Sequence, residues 1–182
     1  MGLKIAVVGK IGSGKTTAAE YLQQEHDFEA IKFSGFVRDI LDRMHLQQNR
    51  DNMVKLSTAI RDNFGPDIFS RVLINEAKDE DKVVLEGARK EEDLSEFKDR
   101  EDFYLLAIEA RQKTRYNRVS ARSENEDDQN KTFSEFKRDE KKATETEIGS
   151  LIQQADFTIE NNDSLEDFHN ELDNLVIKLN AS

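Results

Sequence analysis

Residues 9–16 read Gly9-Lys10-Ile11-Gly12-Ser13-Gly14-Lys15-Thr16, directly after the apolar run Ile5-Ala6-Val7-Val8. The stretch completes the pattern Gly-x-x-x-x-Gly-Lys-Ser/Thr, whose glycines let the backbone curl so that successive N–H groups face phosphate oxygens. Good helix formers follow in Thr17-Ala18-Ala19-Glu20-Tyr21-Leu22, which places a helix N-terminus at the end of the loop. A strand, this loop and a helix in that order predict a site for a nucleoside triphosphate; the alternative is a glycine-rich turn without a ligand.

Residues within this loop have separate roles in the predicted site. Lys15 adds a positive charge near the transferred phosphate, and the Thr16 hydroxyl is a ligand for Mg²⁺. We therefore expect ATP and Mg²⁺ as cofactors. The predicted cofactor-binding residues of this region are Gly9, Lys10, Ile11, Gly12, Ser13, Gly14, Lys15, Thr16 and Thr17.

Composition narrows the class of protein. The chain has 182 residues, which is enough for one full hydrophobic core and short for two domains. Its 38 acidic and 27 basic residues give a net charge of −11, which argues against a nucleic-acid or membrane-surface partner. The absence of cysteine excludes disulfides, thiolate catalysis and cysteine zinc sites. Without a signal peptide or an apolar run of about 18 residues, the expected location is cytoplasmic.

Short apolar runs alternate with longer helical patterns along the chain. The runs lie at residues 5–8, 30–33, 83–85, 104–108 and 157–159. This alternation predicts an α/β fold with a doubly wound, five-stranded parallel sheet, formed as a single domain by residues 1–182. Ligands of such sheets bind at the carboxyl ends of the strands, so we expect functional residues just after each strand.

Two helical patterns separate the second and third strands, at residues 37–46 and 53–63. Gly65-Pro66 ends the second pattern, and a further helix is expected at residues 67–77. The extra length makes residues 34–65 a helical insertion that we expect to bind the acceptor substrate.

A second inserted segment, residues 115–145, lies between the fourth and fifth strands. It reads as a basic helix at 111–122, a polar loop at 123–131 and a helix at 132–142. Because large apolar residues are few, we expect weak packing and a helical lid over the active site. The alternative is a solvated charged hairpin with no role. A last helix is expected at 165–179, where apolar residues recur at helical spacing.

Residues after the second and third strands have groups suited to phosphate chemistry. In Ser34-Gly35-Phe36-Val37-Arg38, a glycine at a strand-to-helix turn would place the arginine beside a bound phosphate; the alternative is that Arg38 faces solvent. In Glu86-Gly87-Ala88-Arg89, the acid is suited to hold Mg²⁺ through water and the arginine to grip an acceptor. A surface turn is the alternative. The predicted metal ligands are Thr16 and Glu86.

Several arginines follow the fourth strand. Arg115, Arg118 and Arg122 are spaced by three and four residues, so they line one helical face. Clustered like charges destabilise a helix unless an anion lies against them, and the polyphosphate is the expected anion. Arg138 would approach the same phosphates from the far side of the lid. The alternative is salt bridging to nearby acids, namely Glu124, Asp127 and Asp128.

Taken together, these pieces resemble the nucleoside monophosphate kinases of the P-loop kinase superfamily. The resemblance is strongest to small adenylate-kinase-related and dephospho-coenzyme-A-kinase-like proteins, and it covers nearly the whole chain. The matching pieces are residues 9–16, 33–38, 60–67, 84–89 and 155–161, together with Arg118 and Arg122. Of these, residues 9–16 are highly specific for nucleotide binding.

The resemblance implies an acceptor side. Arg38 and Arg89 would contact the acceptor phosphate and Arg61 would join them, with Ser34 placed in the same set. One residue departs from the pattern: Gly-Asp is usual in monophosphate kinases where this chain has Gly35-Phe36. Phe36 therefore removes a carboxylate that would contact the acceptor base.

The resemblance also implies a donor side. Arg118, Arg122 and Arg138 would close over the triphosphate as catalytic residues together with Lys15. Asn161, after the last strand, would lie near the adenine.

The leading functional hypothesis is an ATP-dependent phosphotransferase that acts on a small phosphorylated acceptor, a nucleoside or deoxynucleoside monophosphate. A phosphate acceptor is already anionic and needs electrostatic clamping, whereas a hydroxyl acceptor also needs a general base. Dephospho-coenzyme A kinases carry an aspartate where this chain has Ser34-Gly35-Phe36, although Asp39 lies nearby. The alternatives are a small-molecule kinase of that type, a non-kinase ATPase serving assembly or regulation, and a scaffold with a structural nucleotide.

Overall fold

A computed structural model of the chain describes residues 2–121, 132–140 and 143–181. Five strands in these ranges form one all-parallel sheet in the order β2-β3-β1-β4-β5. The predicted strands and the doubly wound α/β class are thus confirmed. The strands are β1 (Leu3–Val8), β2 (Glu29–Lys32), β3 (Lys82–Glu86), β4 (Phe103–Glu109) and β5 (Phe157–Glu160).

Helices connect consecutive strands and cover both faces of the sheet. A one-turn 3₁₀ helix, Glu91–Leu94, lies between β3 and β4. Of the helices described, none has the length and apolar character needed to cross a membrane. The α-helices are α1 (Lys15–His26), α2 (Phe33–Arg43), α3 (Arg50–Phe64), α4 (Ile68–Glu76), α5 (Gln112–Ala121), α6 (Phe133–Asp139), α7 (Ala143–Gln153) and α8 (Leu165–Asn180).

Side chains alternate between the two faces of β1, and each face has its own hydrophobic core. Ile5 and Val7 pack with buried residues of α1 and α8. Ala6 and Val8 lie on the other face, in the core formed with α2, α4 and α7. The central strand is therefore buried on both sides, which explains why it reads as a continuous apolar run.

The start of α2 differs from the expectation. The helix begins at Phe33, directly after β2, so Ser34 and Gly35 lie in its first turn and not in a strand-to-helix turn. The physical reason is the spacing of Phe33, Val37 and Leu41, which are all buried on one side of the helix. Gly35 needs no special backbone conformation, and a Cβ there would touch nothing within 4 Å.

Other boundaries also differ from the sequence-based expectations. The helix expected at 132–142 ends at Asp139. The 3₁₀ helix Glu91–Leu94 and helix α7 were not predicted, since the first has a single large apolar residue and those of α7 are confined to its C-terminal half. The loop expected at 123–131 lies outside the described residues.

An ion pair between Lys4 and Asp102 lies at the amino edge of the sheet. Lys4 is only 4% exposed on β1, and its Nζ lies 3.3 Å from Asp102 Oδ2. Arg100 donates two hydrogen bonds of 2.8 Å to the same carboxylate. These hydrogen bonds and the Lys4 charge lower the pKa of Asp102 below its ordinary value, against the opposing effect of burial.

We expect this pair to make stability depend on acidic pH. Because the folded-state pKa of Asp102 is lowered, the stabilisation is present above the ordinary carboxyl pKa and is lost as pH falls through the lowered value. Asp102→Asn should reduce the free energy of unfolding at neutral pH and flatten its decline below about pH 4. Urea unfolding at a series of pH values measures both effects.

Asp79→Asn is the matched control, because the Asp79 side chain is 85% exposed. An acid profile of Asp102→Asn that parallels the wild-type profile would contradict the assignment.

Candidate functional site

The glycine-rich loop joins β1 to α1 at the carboxyl edge of the sheet. It lies in close contact with the segments that contain Arg115 and Asn161. Gly12 and Gly14 have φ values of +77° and +110°, a region that favours glycine. A Cβ on Gly12 would lie 2.7 Å from the Arg115 carbonyl oxygen, and one on Gly14 would overlap the Asn161 amide. The loop therefore needs glycine at both positions, for its backbone turn and for its close contacts.

Side chains from outside the loop hold two of its carbonyl groups. Asn161 Nδ2 donates to the Ser13 oxygen at 2.9 Å, and Arg115 Nη1 donates to the Ile11 oxygen at 3.2 Å. In a planar trans peptide the carbonyl and the following N–H point in opposite directions. The N–H groups of Gly12 and Gly14 therefore point away from these side chains, as a phosphate-binding loop requires.

Two groups at the start of α1 suit the phosphates and a metal ion. Lys15 Nζ lies 3.2 Å from the Lys10 carbonyl oxygen, within the loop. The Thr16 hydroxyl donates to Glu86 Oε1 at 2.5 Å, across from the end of β3. The other carboxylate oxygen, Glu86 Oε2, is buried without a hydrogen bond and lies 3.6 Å from Lys32 Nζ. A hydroxyl beside a carboxylate with a spare buried oxygen fits Mg²⁺, which prefers oxygen ligands.

Arg38 and Arg89, predicted to contact the acceptor, both lie exposed near the carboxyl edge. Arg38 Nη1 donates to Gln48 Oε1 at 3.2 Å, at the connection between α2 and α3. Within the part of the chain that the structure describes, the Arg89 side chain has no hydrogen-bond or ion-pair partner. Ser34 is half-buried in the first turn of α2.

Arg61 has internal partners. Its Nη2 lies 2.7 Å from Asp93 Oδ1, and its guanidinium lies 4.4 Å from the centre of the Phe69 ring. Asp93 is 1% exposed, and its Oδ2 accepts hydrogen bonds from the backbone N–H groups of Arg89 and Lys90 at 3.0 and 3.1 Å. One carboxylate therefore joins α3 to the loop that carries Arg89.

Sequence reasoning did not identify Asp93. It is the third acid of the run Glu91-Glu92-Asp93, and composition does not distinguish it from its exposed neighbours. A local signal did exist, because an acid at the third position of a helical turn commonly accepts a hydrogen bond from the residue before the turn.

The arginines of α5 do not share one role. Arg115 was expected beside Arg118 on a phosphate-facing surface, and this expectation is wrong. The Arg115 side chain is 5% exposed and forms an ion pair with Glu140, after α6. The physical reason is that Glu140 supplies a buried counter-charge, so no polyphosphate is needed to neutralise Arg115.

The remaining arginines of the predicted lid differ in their placement. Arg118 is half-buried, and burial lowers the pKa of its guanidinium. It donates at 3.0 Å to both the carbonyl oxygen and Oδ1 of Asn161, and lies 3.5 Å from the Ser13 oxygen. Arg138 is 75% exposed and lies 3.7 Å from Glu135 of its own helix. Arg122 lies outside the described residues.

Asn161 was expected near the adenine. Its side chain is buried, and both ends of its amide are hydrogen-bonded, to Ser13 and to Arg118. A small open cavity of about 70 Å³ lies beside it, at the start of α8. The Asn161 side chain thus supports the glycine-rich loop. The free space next to it is the cavity at the start of α8.

The described helices of the predicted lid, α5 and α6, pack more tightly than their composition suggested. The Tyr116 ring lies 5.2 Å from the Phe133 ring and 5.8 Å from the Phe136 ring, measured between centroids. Phe136 and Val119 are buried. The expectation of weak packing is therefore wrong for α5 and α6, because three aromatic rings and a buried ion pair join them.

Comparison with protein families identifies the group to which the chain belongs. A family model described as an AAA domain matches residues 5–147, a span that includes the glycine-rich loop, Glu86 and the α5–α6 pair. The chain belongs to this AAA domain family. A relative from Archaeoglobus fulgidus, named UPF0200/UPF0201 protein, is 30% identical to this AAA domain protein over 181 residues. The match covers 96% of this chain and 55% of the relative, so the chain spans about half of that protein.

Solved structures share the fold of this AAA domain protein. Shikimate kinase from Bacteroides thetaiotaomicron aligns with a TM-score of 0.65 and 18% identity, over 96% of this chain and 98% of that one. Dephospho-CoA kinase from Campylobacter jejuni aligns with a TM-score of 0.56 and 16% identity, over 97% and 96%. The P-loop kinase-like fold is confirmed, and such a fold in general implies the use of ATP and Mg²⁺.

We expect Asp93→Ala to destabilise the protein. The substitution leaves Arg61 without its counter-charge and two backbone N–H groups without their acceptor, so the free energy of unfolding should fall by at least about 2 kcal/mol. Urea unfolding measures the loss. Asp51→Ala is the control, because the Asp51–Lys55 pair is exposed and should contribute less than about 1 kcal/mol. Equal effects of the two substitutions would refute the assignment.

Proposed function

We propose that this protein transfers the γ-phosphoryl group of ATP to a small phosphorylated acceptor, a nucleoside or deoxynucleoside monophosphate. The observation that carries the proposal is the Thr16–Glu86 contact at the phosphate loop. It brings the hydroxyl and the carboxylate suited to Mg²⁺ together at the start of α1, beside Lys15. Exposed arginines after β2 and β3 supply charge for a second phosphate group.

On the donor side, the protein's own groups bind and orient the triphosphate. The N–H groups of Gly12 and Gly14 donate to phosphate oxygens, and Lys15 neutralises charge on the transferred group. Mg²⁺ bound at Thr16 and Glu86 would neutralise charge on the donor phosphates. Phosphoryl transfer needs positioning and neutralised charge more than covalent help, so this set is sufficient for the donor.

On the acceptor side, the segment after β2 favours a phosphate over a hydroxyl. Ser34-Gly35-Phe36 offers no carboxylate to act as a general base. The Phe36 ring instead packs edge-on against Phe69, with 6.0 Å between ring centroids. An anionic acceptor needs only clamping, and the exposed side chains of Arg38 and Arg89 are proposed to supply it.

A substrate panel tests the proposal. The protein is incubated with Mg-ATP and ribo- and deoxynucleoside monophosphates, shikimate or dephospho-coenzyme A, and products are read by mass spectrometry. A monophosphate that gains one phosphate supports the proposal. A phosphorylated hydroxyl acceptor would contradict the acceptor class, and ATP hydrolysis stimulated by protein or RNA without such a product would favour an assembly ATPase.

Arg89→Ala should raise the KM for the acceptor by roughly 10- to 150-fold and leave the KM for ATP unchanged. Loss of a charged hydrogen bond of about 1.5–3 kcal/mol accounts for this range. Steady-state kinetics with each substrate varied in turn measure both constants. Lys98→Ala is the control, since this exposed lysine pairs with Glu91 and has no proposed role in binding. Unchanged acceptor kinetics in Arg89→Ala would contradict the proposed role of Arg89.

Lys15→Ala should abolish phosphoryl transfer, because Lys15 is proposed to neutralise charge on the transferred phosphate.

A further inference from the structure

A buried ion pair contacts the phosphate loop at the Ile11 carbonyl oxygen. The Arg115 and Glu140 side chains are 5% and 7% exposed, and neither has a role in the proposed transfer step. Arg115 belongs to α5, whereas Glu140 follows α6. The pair therefore connects the phosphate loop to two elements of the lid.

Arg115 is the centre of these contacts. Besides Glu140, its guanidinium donates to the Ala110 oxygen at 3.0 Å and to the Ile11 oxygen at 3.2 Å. It also lies 5.7 Å from the centre of the Phe136 ring. A guanidinium presents its donors in a rigid planar fork, so fixing two of them fixes the direction of the third.

Glu140 is held in its charged form. Burial alone would raise the pKa of this carboxyl, but hydrogen bonds from Arg115 and Gln112, with the charges of Arg115 and Lys10, lower it overall. Gln112 Nε2 donates to Glu140 Oε2, which sets the orientation of the carboxylate. A charged carboxylate oriented by Gln112 is therefore a defined partner for Arg115.

The direction of the Ile11 carbonyl depends on this pair. A buried guanidinium without a counter-charge is strongly unfavourable, so loss of the Glu140 charge would drive Arg115 toward water and away from the Ile11 oxygen. The Ile11–Gly12 peptide would then be free to rotate. Ser13 provides a contrast, because Asn161 and Arg118 hold its carbonyl independently of Glu140.

We infer that Arg115 and Glu140 are positioning residues of the nucleotide site. Their ion pair holds the Ile11 carbonyl outward, and so keeps the Gly12 N–H directed at the phosphate position before nucleotide arrives. The inference rests on the proposed function only in that nucleotide binds this loop. A pair with a purely structural role would lower thermal stability and leave the nucleotide affinity of the folded protein unchanged.

The test measures Mg-ADP affinity by calorimetry, with every variant below its own unfolding transition. Glu140→Gln keeps the shape of the side chain and removes its charge, and it should weaken binding about 10-fold or more. Arg115→Ala should weaken binding at least as much, and the double variant no further, because both substitutions break one contact. Arg115→Lys should retain part of the affinity, since it keeps the charge and loses the fork.

Asp102→Asn is the matched control, because it breaks another ion pair that is largely shielded from solvent, at the opposite edge of the sheet. It should lower stability and leave Mg-ADP affinity unchanged. Amide NMR of the nucleotide-free protein gives a second measurement that tolerates marginal stability. In Glu140→Gln the Gly12 amide signal should shift, while that of Gly14 should stay near its wild-type position.

The outcomes separate the two proposals. Wild-type affinity in Glu140→Gln, or an unmoved Gly12 signal, would overturn the positioning role and leave the phosphotransferase proposal intact. A wild-type protein that does not bind Mg-ADP would overturn both. Weakened binding in the variants, combined with no phosphorylated acceptor, would support the positioning role and overturn the proposed reaction.

Discussion

The orientation of two peptide planes in the phosphate loop is the constraint on which the rest of the site depends. The Ile11 and Ser13 carbonyls accept hydrogen bonds from Arg115, Arg118 and Asn161, which come from α5 and from the end of β5. A loop rich in glycine has many accessible conformations, and these contacts select one of them. The segments after β4 and β5 are therefore part of the proposed nucleotide site, although their side chains point at carbonyl groups.

Strand order explains how these parts meet. β1 lies at the centre of the sheet with β3 and β4 as its neighbours, so the loop after β1 has Glu86 on one side and the segment leading to α5 on the other. The acidic net charge of the chain does not conflict with an anionic ligand. The buried Arg115 and the half-buried Arg61 each have a carboxylate partner, whereas Arg38 and Arg89 remain exposed at the edge.

Much of the fold could be predicted from the sequence, because buried parallel strands appear as short apolar runs and the glycine-rich loop has a specific pattern. The meeting of Thr16 and Glu86 followed from the rule that functional residues lie at strand ends. The direction of Arg115 could not be predicted in the same way. Helical spacing placed it beside Arg118, but its orientation is decided by Glu140, which only the packing of α6 brings near.

Similar physical reasons explain the other differences. Tyr116, Phe133 and Phe136 are separated in a highly charged segment, so their contact depends on tertiary structure and not on a local pattern. Asp93 lies in a run of acids, and apart from its position in the 3₁₀ turn it is distinguished only by its burial against Arg61. In each case a polar or aromatic side chain contacts a residue on an element distant in sequence. The periodicity of apolar residues does not predict such contacts.

A crystal structure of the protein with Mg-ADP tests the central claim most directly. The account predicts β-phosphate oxygens within about 3 Å of the Gly12 and Gly14 nitrogens. Mg²⁺ should lie beside the Thr16 hydroxyl, and the Ile11 and Ser13 carbonyls should keep their contacts with Arg115, Arg118 and Asn161. Nucleotide bound away from the loop, or bound there with those carbonyls turned inward and the contacts broken, would contradict it.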